Sequence, residues 1–186
     1  RRFLFPTYSE ATRTCLYEKT MEIIALGLSH RTADVKLREK LAISDNELSS
    51  ALTGITGRNG VSEAVILSTC NRVEVYAAVF DPDASHNDIV KFLAGLKGVG
   101  EEEFRQASYY YRGEQAVKHI VRVAASLDSM VVGETQIFGQ VKAFLSKALE
   151  AGTAGRVFNN MFQRIYGIVK RVRTETNIGR MPASVS

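Results

Sequence analysis

The stretch VILSTCNRVEVYAAV, residues 65–79, decides the fold, because two strand-like segments flank a short polar connection. After the connection, Val73 and Val75 alternate with Arg72 and Glu74, which is the period of a half-buried β-strand. Before it, residues 63–68 form a short apolar run typical of a buried strand. The sequence therefore predicts two consecutive strands with Cys70 in the connection between them.

The segments on either side extend this pair into a sheet with helices. Residues 21–30 are apolar and rich in strand formers, and residues 107–112 supply a fourth strand. Ser-x-x-acid capping boxes at Ser44 and Ser85 each predict the start of a helix. The predicted order is β-α-β-β-α-β, the ferredoxin-like arrangement with both helices on one face of the sheet.

The remainder reads as three amphipathic helices, beginning near Glu114, Gln136 and Arg156. We expect an α+β fold, a ferredoxin-like sheet subdomain followed by a helical subdomain. The predicted divisions are an N-terminal extension at 1–20, the sheet subdomain at 21–113 and the helical part at 114–186, where the start of a linker helix is included.

Composition narrows the class of protein. With 186 residues and 45% apolar content, the chain can bury a core, and no apolar run approaches the length of a membrane span. Two cysteines cannot form a disulfide framework or a Cys-only zinc site, which favours a reducing compartment. We expect a bacterial cytoplasm, or a plastid stroma if the source is a photosynthetic eukaryote.

Positive charge is concentrated near the C-terminus. From Thr153 onward six basic side chains face a single acid, Glu175, in a chain of net charge +4. This predicts an anionic partner, and nucleic acid is favoured over a merely solvated helix face. The glycines at 95–100 precede three glutamates and do not form a G-x-G-x-x-G loop, so the sequence shows no dinucleotide site.

Cys70 is a candidate nucleophile. A thiolate attacks carbonyl carbon, so a catalytic cysteine needs partial exposure and nearby positive charge, which Arg72 could supply. The alternative is a small buried apolar residue. His119 borders the apolar face of its helix and is a candidate base, although a half-buried core histidine is as common, and His30 is a rival on the same grounds.

Polar side chains also gather at residues 126–140. Gln136 and Gln140 are four apart on one helix face, and Ser129 and Glu134 lie in the segment leading into it. Such a cluster suits a small group bearing both an amine and a carboxylate. A polar loop with a capping network is the plainer interpretation.

Four blocks of sequence together resemble the glutamyl-tRNA reductase family. They are ALGLSHRTADVKLREKLA, ILSTCNRVEVY, AASLDSMVVGETQIFGQVK and KRVRTETNIG, and their order and spacing agree with the family between residues 23 and 179. The resemblance is to the catalytic N-terminal part alone. In the family a long helix continues into an NADPH-binding domain and a dimerisation domain, and we expect neither domain within these 186 residues.

The resemblance implies a role for particular positions. Cys70 would attack the ester of glutamyl-tRNA to give a thioester, which NADPH reduces to glutamate-1-semialdehyde, the first step of tetrapyrrole synthesis. His119 would assist proton transfer, and Arg72 would bind a substrate carboxylate. The implied glutamate-binding positions are Thr69, Asn71, Arg72, Ser129, Glu134, Thr135, Gln136 and Gln140. The tRNA-contact candidates are Arg164, Lys170, Arg171 and Arg173.

The resemblance also implies partners, namely glutamyl-tRNA, the glutamate-1-semialdehyde aminomutase that follows in the pathway, and a second copy of the chain. Two alternatives stay open. A non-catalytic RNA-binding ferredoxin-like module would expose aromatic side chains on an open sheet face, for which Tyr109, Tyr110 and Tyr111 are candidates. A thiol hydrolase of small esters would not need tRNA.

Overall fold

The computed structural model describes residues 20–130, 133, 136–176 and 178. The strands are β1 (Glu22–Ser29), β2 (Val61–Thr69), β3 (Arg72–Val79) and β4 (Tyr109–Arg112). The helices are α1 (Val35–Leu41), α2 (Asp45–Thr56), α3 (Pro82–Lys97), α4 (Glu101–Ala107), α5 (Gly113–Ala124), α6 (Gln136–Glu150) and α7 (Arg156–Glu175). The predicted N-terminal extension lies almost wholly outside the described residues.

The four strands form one antiparallel sheet in the order β2-β3-β1-β4. β1 pairs with β3 on one edge and with β4 on the other, so that Leu26 lies opposite both Val75 and Tyr110. This is the strand order of a ferredoxin-like sheet, and the predicted fold class is confirmed.

Strand β3 corrects one prediction. Its alternation predicted a strand half exposed to solvent, but all eight residues are buried. The side chains of Arg72, Glu74 and Tyr76 lie on one face and those of Val73 and Val75 on the other. Both faces are covered, so the polar side of the alternation faces the protein interior.

Helices cover the sheet on both sides. On the face of Ser68 and Tyr110, Ile43 N–H donates to Ser68 Oγ and Tyr110 Oη donates to the Pro82 carbonyl, which places the start of α2 and of α3 there. The opposite face packs on α5, α6 and α7 through one apolar interface. That interface is lined by Val65, Leu67, Tyr76, Ile120, Val141, Phe144 and Phe162.

Helix starts test the capping predictions. Ser44 and Glu47 form the predicted capping box at α2. The box predicted at Ser85 is wrong, because α3 begins one turn earlier, where the Asp81 side chain accepts from Ala84 N–H and Pro82 occupies the first turn. The short helices α1 and α4 were not predicted.

The division at Gly113 stays a prediction. β4 passes directly into α5 at Gly113, whose φ is 51°, and apolar side chains before and after it belong to one buried cluster. None of the helices in the described part of the chain is long and apolar enough to cross a membrane.

The start of α7 is fixed by a side chain from the sheet. Glu63 of β2 is buried, and its carboxylate accepts from Val157 N–H at 3.0 Å and Phe158 N–H at 2.9 Å. A Cβ at Gly155 would lie 2.9 Å from Glu63 Oε1, so a side chain there would have to displace the carboxylate. A negative charge at a helix N-terminus is favourable, and α7 is therefore anchored to β2.

Candidate active site around Cys70 and His119

Cys70 is exposed, in the two-residue turn that joins β2 to β3. The turn is held by Asn71 N–H, which donates to Thr69 Oγ1 at 3.3 Å, and by the Asn71 carbonyl, which accepts from His30 N–H at 2.9 Å. Thr69 and Asn71 are both half-buried. The structure thus presents the sulfur-bearing residue on a turn attached to the central strands.

A groove of about 330 Å³ opens beside this turn. Its lining combines the end of β2 with α1 and the start of α2, and includes hydroxyl groups and one buried arginine. The lining residues are Arg38, Glu39, Ala42, Ile43, Ser44, Ser68, Thr69 and Cys70.

Arg72 does not meet the expectation that it is available to a substrate carboxylate. Its side chain is 1% exposed, and Nη1 lies 2.7 Å from Glu74 Oε1 and 3.4 Å from Asp128 Oδ2. Nη2 donates to the Asp128 carbonyl. Burial lowers the pKa of Arg72 but the Glu74 carboxylate raises it, and the net pKa lies above the ordinary value. This guanidinium is therefore an internal cation bound to two acidic residues.

Glu74 lies at the centre of a network of buried hydrogen bonds. Its carboxylate accepts hydrogen bonds from Arg72, from Tyr76 Oη at 2.5 Å, from Tyr109 Oη, and from His119. Burial alone raises the pKa of Glu74, but the His119 hydrogen bond and the charge of Arg72 outweigh burial and lower it to about 2. Glu74 is thus ionised at neutral pH.

The ionised Glu74 fixes the form of His119. His119 Nε2 lies 3.0 Å from Glu74 Oε1, and an ionised carboxylate can only accept, so Nε2 carries a proton. In the neutral ring the Nδ1 lone pair is then the basic position. The ring is 8% exposed and packs between aromatic neighbours, with centroids 5.0 Å from Tyr109 and 4.8 Å from Tyr111.

A cavity of about 620 Å³ borders this histidine. It is lined by the end of β1, by β4 and by the outer side of α5, with Asp128 and Ile168 completing the wall. Arg31 bonds Asp128 at 3.1 Å on one side of it. His119 lines this cavity and Cys70 lines the groove, with the Arg72–Glu74 pair running along β3 between the turn and the histidine.

Gly27 is required for this arrangement. It pairs with Glu74 across β1 and β3, and a Cβ there would lie 2.4 Å from the Val73 carbonyl oxygen and 2.8 Å from Glu74 Cα. Tyr109 pairs with Gly27 on the other side. The absence of a side chain at this position leaves room for Glu74 and its donors on the buried face.

His30, the rival base, lies beside the Cys70 turn through its backbone bond to Asn71. Its pKa is lowered by burial and by the nearby charges of Arg72, Arg31 and Arg38. Unlike His119, it lines neither the groove nor the cavity.

The predicted glutamate-binding cluster is described only in part. Glu134 and Thr135 lie outside the described residues. Ser129 is buried and accepts from Ser126 Oγ at 3.1 Å, and Ser126 has a φ of 63°, a left-handed conformation that is uncommon for serine. Gln136 is exposed and Gln140 is half-buried at the start of α6, and neither lines the groove or the cavity.

The basic residues of α7 fall into two groups. Arg164, Lys170 and Arg171 are exposed, and Arg171 pairs with Glu175 at 3.1 Å. Arg173 is half-buried, with its guanidinium carbon 5.1 Å from the centre of the Phe138 ring. The three exposed side chains remain available for an anionic partner.

The open sheet face required by the RNA-binding alternative is not present in the described part of the chain. Tyr109 donates to Glu74 and Tyr111 packs against His119 on the face covered by α5. Tyr110 donates to Pro82 and stacks on His86 at 4.1 Å on the other face. The three tyrosines are half-buried and in contact with other side chains on both faces, so they do not form an open stacking platform for bases.

Sequence reasoning missed Glu74, Asp128 and Arg38. The alternation in β3 predicts that Glu74 faces solvent, and nothing in the polar segment at 126–140 singles out Asp128. The available signal was the spacing of Arg72 and Glu74, which places opposite charges on one face of a strand between two other strands. Arg38 gave no signal, since its helix was not predicted.

Residues 26–176 match the family described as "Glutamyl-tRNAGlu reductase, N-terminal domain". The chain is 43% identical over 166 residues to the glutamyl-tRNA reductase of Saccharophagus degradans and 44% identical over 166 residues to that of Syntrophotalea carbinolica. Each alignment covers 89% of this chain and 38% of the relative, so the chain spans about two fifths of the length of these relatives.

A solved structure gives the same result. Glutamyl-tRNA reductase from Methanopyrus kandleri superposes with a TM-score of 0.71 at 31% sequence identity, over 87% of this chain and 37% of that one. On these matches and on its ferredoxin-like sheet, the chain belongs to the family of the glutamyl-tRNA reductase N-terminal domain.

Proposed function

We propose that this chain carries out the acyl-transfer half of glutamyl-tRNA reduction, with Cys70 as nucleophile. The observation that carries the proposal is an exposed thiol on a turn whose following strand leads, through Arg72 and Glu74, to a histidine at the wall of a cavity. Reactive cysteines require access, and proton transfer requires an oriented base or acid. Membership of the family agrees with this chemistry.

In the proposed step the Cys70 thiolate attacks the ester carbonyl carbon of glutamyl-tRNA. The carbon–sulfur bond forms, the bond to the terminal ribose oxygen breaks, and the ribose oxygen leaves as a hydroxyl group with the proton that the Cys70 thiol gave up on becoming a thiolate. His119 is the proposed proton carrier, acting through Nδ1, since Nε2 is bound to Glu74. Glu74 orients the ring as a carboxylate orients histidine in other acyl-transfer enzymes.

Glutamate recognition is proposed for Thr69, Asn71, Ser129, Glu134, Thr135, Gln136 and Gln140. For Arg72 the buried contacts favour an indirect role. It binds both Glu74 and the segment at Asp128, so it orders the link between the nucleophile turn and the polar segment that follows α5. Loss of Arg72 would leave the buried Glu74 carboxylate without an arginine partner and Asp128 with Arg31 alone.

The tRNA surface is proposed to include Arg164, Lys170 and Arg171 on α7. Exposed cations of this kind contact phosphates and give an affinity that falls as salt rises. Replacing Lys170 and Arg171 by Gln should reduce the slope of log affinity against log salt by about 2. The readout is filter binding of glutamyl-tRNA at several salt concentrations, with Lys91→Gln on α3 as the control.

Reduction of the thioester to glutamate-1-semialdehyde is proposed to use NADPH held by a part of the longer protein. The described residues do not fit this cofactor. Gly98 ends α3, Gly100 begins α4, and the first turn of α4 carries Glu101, Glu102 and Glu103, whose charges would repel a pyrophosphate. We derive no hydride step from this chain. A homodimer and hand-off to the aminomutase are proposed for the whole enzyme.

The test is covalent labelling by glutamyl-tRNA carrying radioactive glutamate. The 186-residue chain should become labelled through a base-labile bond, Cys70→Ser should not, and Cys15→Ser should be labelled as the unmodified chain is. Unchanged labelling of Cys70→Ser refutes the proposed nucleophile. Formation of semialdehyde by this chain with NADPH would contradict the assignment of the reductive step elsewhere.

A further inference from the structure

Arg38 connects α1 to the nucleophile turn. Its Nε donates to the Cys70 carbonyl at 3.3 Å, a bond between residues 32 positions apart in the sequence. Its Nη1 donates to the Ala33 carbonyl at 2.7 Å. The residue is 9% exposed. A side chain of α1 therefore holds the backbone of the cysteine itself, while its other bond holds the segment that leads into the helix.

The charge of Arg38 is balanced differently from that of Arg72. Among the described residues, Arg72 has ion pairs with Glu74 and Asp128, whereas Arg38 has no carboxylate within ion-pair distance and bonds to neutral carbonyls. Burying a charged group is costly unless it is paired or used. Arg38 is thus a largely buried cation whose described partners are backbone carbonyls, one of them that of Cys70.

Arg38 and Cys70 also face the same space, because both line the groove of about 330 Å³ beside the turn. The other turn residue, Asn71, is held by Thr69 and His30. Within the described part of the chain, the side-chain hydrogen bond to the Cys70 carbonyl comes from Arg38.

We propose that Arg38 is a positioning residue for Cys70: it fixes the carbonyl of the nucleophile residue and so directs the sulfur toward the bound ester. The proposal rests on the proposed function of Cys70. Acyl transfer requires the sulfur to approach the carbonyl carbon along a narrow path, and small displacements reduce the rate strongly. Reaction with a small freely diffusing alkylating reagent has no such requirement.

The experiment compares these two reactions in the 186-residue chain, with Cys15→Ser in every variant so that Cys70 is the only thiol. We expect Arg38→Met to lower the saturated rate of thioester formation about tenfold to a hundredfold, the loss expected for hydrogen bonds from a charged donor. The glutamyl-tRNA concentration at half-saturation and the rate of alkylation by iodoacetamide should each change by less than about threefold.

Two further variants separate positioning from folding. Arg38→Lys keeps the charge and one donor and should recover part of the lost rate, while Arg38→Met should not. Arg58→Met is the matched control, since Arg58 Nε also donates to a backbone carbonyl, that of Gly54, but on α2 away from the turn. Thermal unfolding by circular dichroism shows whether each variant is folded.

The outcomes are distinct. Thioester formation at the unmodified rate in Arg38→Met overturns the positioning role, as does an equal loss in thioester formation and alkylation, which would mean altered access or folding. An Arg38→Met variant that does not fold leaves Arg38→Lys to decide, and a rate in Arg38→Lys below one thousandth of the original in a folded protein overturns the role as well. Labelling that persists in Cys70→Ser refutes the proposed function instead, whatever Arg38 does.

Discussion

Replacing Glu74 by Gln tests whether one buried carboxylate organises the candidate site. The substitution keeps the size of the side chain and removes its charge. Glu74 accepts from Arg72, Tyr76, Tyr109 and His119, so the variant leaves Arg72 with Asp128 as its only acidic partner among the described residues. The amide also places an N–H group among donors, where no hydrogen bond can form.

The magnitude follows from the pKa of Glu74. Its pKa of about 2, against 4.5 for an unperturbed glutamate, means that the folded state favours the ionised form by about 3 kcal/mol. Breaking a buried ion pair typically costs about 3–5 kcal/mol, which agrees. We therefore expect Glu74→Gln to lower the free energy of unfolding by about 3 kcal/mol at pH 7.

The lowered pKa of Glu74 determines how its contribution to stability changes with pH. A carboxylate with a lowered pKa contributes its stability in full above its unfolded pKa of 4.5, and loses that contribution as pH falls from 4.5 toward 2. The stability difference between the two proteins should therefore be largest at neutral pH. It should shrink steadily on acidification below pH 4.5.

The assay is urea unfolding followed by far-ultraviolet circular dichroism at several pH values, because the chain has no tryptophan. Glu114→Gln is the control, since Glu114 is exposed and pairs with Lys118 on the surface of α5. A loss in Glu74→Gln that is no larger than in Glu114→Gln, or that is constant across the pH range, would refute the reasoning.

Three further predictions concern single positions. Nitrogen NMR of His119 should show a proton on Nε2, because that atom faces an ionised carboxylate. Gly27→Ala should lower stability by about 3 kcal/mol or more, since the new methyl group meets backbone atoms, as measured by urea unfolding. Glu63→Ala should cost about 2 kcal/mol and speed hydrogen exchange at Val157 N–H, which loses its acceptor.

The two substitutions each have a comparison variant. Gly139→Ala on α6, where a Cβ meets nothing within 4 Å, should raise stability by about 1 kcal/mol, and equal effects at the two glycines would contradict the packing argument. Ser62→Ala, on the exposed side of β2, should leave exchange at α7 unchanged. A His119 ring protonated on Nδ1 alone would overturn the assigned tautomer.

The order of the strands and of the five longer helices was predictable because each carries a local signal. Periodicity located β3 at residues 72–79, and the Ser44 box located the start of α2. The predicted start of α3 is wrong because Asp81 and Ser85 both precede plausible first turns. Which of the two caps the helix depends on the turn before it, and the helix begins at Pro82 after Asp81. α1 and α4 are seven residues each, too short for periodicity to reveal.

The sequence identifies candidates for the reactive residues, whose roles stay predictions, but not the buried side chains around them. Cys70 and His119 were identified as candidates from residue type, position and the resemblance. The burial of Arg72 and Glu74 was missed, because alternation in a strand shows which residues share a face and not which face is later covered. That information comes from α5 and α7, which lie more than 30 residues further along the chain.

Because Glu63 fixes the start of α7 to β2, a displacement of the far end of this helix would be transmitted to the sheet. Its 20 residues span about 30 Å, and its near end is clamped to the strand that runs directly into the cysteine-bearing turn. Gly155 lies close to the Glu63 carboxylate, so the helix start and the strand are in direct contact. A force on the C-terminal end of α7 would therefore act on β2 and, through that strand, on the turn that carries Cys70.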